Sequence, residues 1–208
     1  GSNSNGIKLY GINHSASTAW NYFYNSVSIG GNATGASARS AAFIRTVNGS
    51  VALANNVLIN TRTGTGSNYS ISNKVASPAT NWSASNYNDL YSSTGSATGE
   101  WGNGGSNTFA QWQSNSGGDA NSVNRSVSFI ASTYDLQPDP KSNCALDNSG
   151  TVISTPLAIN TDINVVTRNA ATPDMEVYEF NYTVFIVTDS TSPPVCPASS
   201  LNLFSNQG

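Results

Sequence analysis

The chain has 208 residues, a formal net charge of −3 and only 9% charged side chains, alongside 38% hydrophobic and 10% aromatic residues. So few Lys and Arg exclude the clustered positive charge that a nucleic-acid footprint needs. The hydrophobic content with low net charge argues against a disordered chain, and no apolar run approaches the roughly 20 residues of a membrane-spanning helix.

In chain order, short strands dominate. Residues 6–12 (GIKLYGI) read as the first strand, and YFY and VSI flank Asn25 as two more. The same arrangement returns as AAFIRT (41–46) followed by VALANNVLI, and as YSIS (69–72) followed by SNYNDLY. Asn-polar-apolar steps at Asn25, Asn55, Asn88 and Asn121 recur at intervals of about 30 to 33 residues, the range of repeat architectures. Alternation places Val27 and Ile29 on one strand face, with Val57 and Ile59 as their counterparts. No helical periodicity stands out. The expected fold is all-β: a right-handed parallel β-helix solenoid with three short strands per coil and an irregular C-terminal capping segment. Residues 1–130 form the coils, 131–188 the cap, and 189–208 a linker toward a following domain.

In this scheme Asn25, Asn55, Asn88 and Asn121 form a structural ladder. Asn tolerates the left-handed backbone of a tight bend, and its amide can bond its equivalent one coil away. Polar loops follow each post-Asn strand, at residues 30–40, 60–68 and 93–120. The last carries Trp101, Phe109 and Trp112, which either stack on sugar rings or fold back over the flank.

Beyond residue 130 acids and prolines become common. No cofactor is expected; a structural Ca²⁺, if held, would fall to Asp162 and Asp174 with Glu176 or Glu179, and Arg168 competes as a partner. YTVFIVT (182–188) reads as a strand, and Pro-Pro in residues 189–200 as extended linker. Cys144 and Cys196 are the only cysteines and could pair; few cysteines and many amides suit an exported bacterial protein.

Hydrolysis needs paired carboxylates, and β-elimination needs acid-held Ca²⁺ with a base. The repeat strands offer Asp89 alone, so no catalytic residue is assigned. His14 lacks a catalytic context, and Lys8 and Arg45 read as solvated surface charges.

YNSVSIGG, SARSAAFIRT, LANNVLINTRTGTG, NYNDLYSS and ALDNSG…TDINVVTRNAATPDMEVYEF together resemble the Asn-rich right-handed parallel β-helix (pectate-lyase-like) modules of large secreted and surface proteins of the Bacteroidetes, over residues 6–180. The closing element departs from the family pattern. Asp162-Ile163-Asn164-Val165 stands where the family tends to have Asp-Ile-Asp-Gly, and Asp174-Met175-Glu176-Val177-Tyr178-Glu179 where it tends to have Asp-Ile-Gly-Ala-(Asp/Tyr)-Glu. The resemblance implies an extracellular or cell-surface location, type IX secretion, and a non-catalytic, adhesin-like role in attachment or gliding motility. Other domains of the same polypeptide are the expected partners, with surface glycans as a further one. The alternative is a carbohydrate-binding or glycan-processing (polysaccharide lyase-like) β-helix, with Trp101 and Trp112 as stacking residues.

Overall fold

The computed structural model describes residues 7–93, 97–103, 105–131 and 134–181. Three strand–bend–strand passages follow one another. The first is β1 (Lys8–His14), β2 (Trp20–Phe23), β3 (Ser26–Ile29) and the short β4 (Asn32–Ala33). The second is β5 (Arg39–Arg45), β6 (Val51–Ala54), β7 (Val57–Asn60) and β8 (Thr63–Gly64). The third is β9 (Ser67–Asn73), β10 (Trp82–Asn86) and β11 (Asp89–Ser92). Then come β12 (Gly99–Trp101), β13 (Ser106–Asn107), α1 (Phe109–Ser116), β14 (Phe129–Ala131) and β15 (Asp135–Pro138).

Equivalent strands pair in parallel. The sheets run β1-β5-β9-β12-β13, β10-β6-β2, β11-β7-β3 and β4-β8, with β14-β15 as a separate antiparallel pair. This overturns the expected all-β, right-handed, three-strand-per-coil solenoid. Among the described residues the strands make several small, open sheets. One is mixed, because β13 joins β12 antiparallel. A helix lies within residues 93–120, where a polar loop was expected. The physical cause is local. Thr108 and Gln111 form a reciprocal capping box and Gly117 closes the helix at φ 66°, so residues 109–116 form a regular helix inside the loop.

Register fixes which side chains face inward. Val27 pairs with Leu58, and Leu58 with Leu90. Leu58, Leu90, Leu53, Val51, Phe43, Ile71 and Trp112 form the inner core. Val57 and Ile59 pair instead with Ser26 and Ser28 and face the opposite way. There they meet Leu146, Met175 and Phe180 in a second apolar cluster. Val57 and Ile59 are therefore not the counterparts of Val27 and Ile29; a one-residue shift of register turns every side chain over. The segment 143–181 lies on this outer face, against the flank of the β3-β7-β11 sheet.

Arg45, expected at the surface, is fully buried. Its guanidinium donates to the carbonyls of Gly49, Pro78 and Thr80 and to the side-chain oxygens of Asn48 and Asn73. Five acceptors in a dry site satisfy the cation and tie two turns to the end of β9. His14 is also buried, with Nδ1 3.0 Å from the Tyr22 hydroxyl. Burial, with the Arg45 charge, pushes its pKa down, which favours the neutral ring.

Among the described residues no helix is long and apolar enough to cross a membrane. Cys144 is disulfide-bonded. The expected strand at 182–188, the linker at 189–208 and Cys196 lie outside the described residues.

Candidate functional site

The amide ladder is present, one residue away from two of its expected members. Asn25 Nδ2 donates to Asn56 Oδ1 at 2.8 Å, and Asn56 Nδ2 to Asn88 Oδ1 at 2.9 Å. The backbone N–H groups of Asn25 and Asn56 donate to the same two oxygens. Asn88 then donates to Asp119 Oδ1 at 3.1 Å, while its backbone N–H meets Ser122 Oγ at 2.8 Å. Asn55 is instead the bend residue, at φ 58°, beside Tyr24 at 54° and Tyr87 at 56° in the neighbouring passages. Its amide makes a two-way pair with the backbone of Thr151, accepting from N–H at 2.8 Å and donating to C=O at 2.7 Å. Asn121 is exposed, and its contact with Asn86 uses only its backbone N–H. Asn121→Ala should therefore change stability by no more than about 0.5 kcal/mol in a urea titration.

Three of the four tryptophans form a core. Trp82, Trp101 and Trp112 meet edge-to-face, with centroids 5.3–5.6 Å apart. Trp112 is 0% exposed, and its Nε1 donates to Asp119 Oδ2 at 2.7 Å. It has no free face for a sugar ring. Trp101 is half-buried and packs against the inner cluster.

Asp162, Asp174 and Glu179 bind backbone. Asp162 Oδ1 accepts from the N–H groups of Asn164 and Val166, both at 2.8 Å, and Oδ2 from that of Glu179 at 3.0 Å. Asp174 Oδ1 accepts from Asn148 N–H and Oδ2 from Phe180 N–H, both at 2.7 Å. Glu179 takes N–H bonds from Asn169 and Asp174 and an ion pair from Arg168 at 3.4 Å. Asp162 and Asp174 thus spend their oxygens on the turns of 143–181, not on a shared space for Ca²⁺. Among the described residues no three His, Cys, Asp or Glu side chains come together as a metal site.

Arg168 stacks on the Tyr24 ring, its guanidinium carbon 3.8 Å from the centroid, and Tyr24 Oη donates to Thr151 C=O. A shallow cleft of about 210 Å³ opens beside this stack, walled by Val152, Ile159, Arg168 and Pro173. At the adjoining turn Val165 sits at φ 63° and is 79% exposed. A β-branched residue is strained at this left-handed backbone position. Val165→Gly should raise stability by about 0.5–1 kcal/mol, or roughly 2–3 °C in Tm, measured by differential scanning calorimetry.

Glu100 and Asp89 sit on the sheets, away from these turns. Glu100 pairs with Arg39 and accepts from Ser72 Oγ at 2.6 Å. Asp89 is 0% exposed; its Oδ1 accepts from Arg125 N–H at 2.9 Å and its Oδ2 has no partner. Comparison of the chain with protein-family models, curated proteins and solved structures gives no match.

Proposed function

We propose that the chain is a non-catalytic structural module of a larger extracellular or cell-surface, adhesin-like protein, serving as a rigid support that presents polar loops to attachment partners and holds neighbouring domains apart. One observation carries this reading: buried amides and carboxylates are used on the protein's own backbone and on one another. The Asn25–Asn56–Asn88 ladder, Asp119, Asp162, Asp174 and Glu179 each fix a bend or turn. Side chains held this way give shape to a chain with few charges; they are not poised toward a substrate. The neutral, amide- and hydroxyl-rich composition and the resemblance of residues 6–180 to secreted surface modules agree with it.

The test is an assay of the chain against a panel of acidic and neutral polysaccharides, followed by reducing-end and unsaturated-product detection. No turnover is expected. Sustained cleavage that is lost on Asp89→Asn or Glu100→Gln would overturn the reading in favour of a glycan-processing enzyme.

A further inference from the structure

The segment 143–181 is joined to the β3-β7-β11 sheet through an apolar interface that also holds two carboxyl groups in unusual surroundings. Glu176 is 0% exposed. Its Oε2 accepts from Ser26 Oγ on β3 at 3.1 Å, and its Oε1 has no partner. The same serine accepts from Val177 N–H at 3.4 Å, so a single hydroxyl joins sheet and segment. Asp89 lies in the same stacked column on the sheet, paired in register with Val57 on one side and bridged to Val123 on the other. Both valines belong to the outer apolar cluster with Leu146, Met175 and Phe180.

A carboxylate with a bare oxygen in such a site lacks the bonds that would compensate its desolvation. The neutral acid avoids that penalty. We infer that this interface is a proton-controlled clasp: protonated Glu176 and Asp89 hold 143–181 on the sheet, and their ionisation lets the segment lift away.

The charged surroundings agree. Burial is the largest influence on Glu176 and pushes it up to about 9; Asp174 adds to the rise, while Ser26, the Tyr178 N–H and Arg168 oppose it. Burial pushes Asp89 up to about 8 against the opposing Arg125 backbone and charge. Asp174 is raised to about 7, again by burial first, with Glu179 and Asp147 adding and the N–H groups of Phe180 and Asn148 opposing. In an opened segment Glu176 and Asp174 return toward about 4, and Asp89 loses the apolar cluster that 143–181 closes over its column. The closed state therefore binds more protons than the open one. Closure is strongest near pH 4 and weakens as pH rises toward the raised values, after which the loss levels off.

Hydrogen exchange of the whole chain, read at pH 6 and pH 9 and corrected for intrinsic exchange rates, tests this. The opening constant of 143–181 should rise at least tenfold relative to that of β5 and β9. Glu176→Gln, which keeps size and removes the charge, should reduce this rise severalfold, and the pair Glu176→Gln with Asp89→Asn should abolish most of it. An equal opening constant at both pH values in the unmodified chain overturns the clasp. So does a full pH response retained in the double variant.

Discussion

Asn56→Ala should lower stability by about 4 kcal/mol and Tm by roughly 10 °C, one of the largest effects of any single change outside the apolar core. Asn56 is 0% exposed and is the middle of the ladder. Its Oδ1 accepts from Asn25 Nδ2 and Asn25 N–H, and its Nδ2 donates to Asn88 Oδ1 and Tyr22 C=O. Alanine leaves four partners short of a bond at a site where water has little access, each at about 1 kcal/mol. Asn56→Asp separates the two halves of the amide. It keeps the acceptor for Asn25 but sets a carboxylate oxygen against Asn88 Oδ1, so its cost should grow with pH as that oxygen ionises. Urea denaturation at pH 4 and pH 8, with Asn121→Ala as control, reads both effects. A loss under 1 kcal/mol for Asn56→Ala would show that the ladder contributes little to stability.

The period of this architecture is visible in the sequence, while its register is not. Ladder partners lie 31, 32 and 34 residues apart, so no constant interval marks them. At the second passage two asparagines stand side by side, and each serves a different need. Asn55 takes the left-handed bend that Tyr24 and Tyr87 take elsewhere, and Asn56 takes the ladder. Residue type cannot separate the two, because Asn suits both. Beyond β11, Ser122 and Asp119 replace the amide, so Asn121 only looked like the next rung. That one-residue ambiguity also hid the outer role of Val57 and Ile59.

Other features were hidden for different reasons. Arg45 lies at the end of a strand, and parity alone points it outward. The acceptors that bury it come from turns up to 35 residues away. Helix α1 has a capping box and a closing glycine, but among its residues only Trp112 is buried, so no apolar stripe announces it. The acids of 143–181 were legible as a cluster. Their role was not, because their partners are backbone N–H groups whose placement exists only in the folded turns.

Trp112→Ala should cost about 3–5 kcal/mol and lower Tm by 10 °C or more. The indole fills the inner core between Trp82 and Trp101, so truncation leaves a cavity and removes two edge-to-face contacts. It also strips Asp119 Oδ2 of its donor. Asp119 Oδ1 is where the amide ladder ends, accepting from Asn88 Nδ2 and from Ser122 Oγ at 2.6 Å. The helix, the carboxylate and the ladder are therefore one connected unit, and their losses should not add. A double-mutant cycle between Trp112→Phe, which keeps most of the ring and removes the N–H, and Asn88→Ala should give a coupling of about 1 kcal/mol. Strict additivity would show that α1 covers the core without bracing the ladder. Near-ultraviolet circular dichroism offers a second readout, since the three indoles couple only while Trp112 is in place. Binding of a glycan at millimolar concentration that Trp112→Phe abolishes would contradict the buried position of this side chain and the structural role assigned to it.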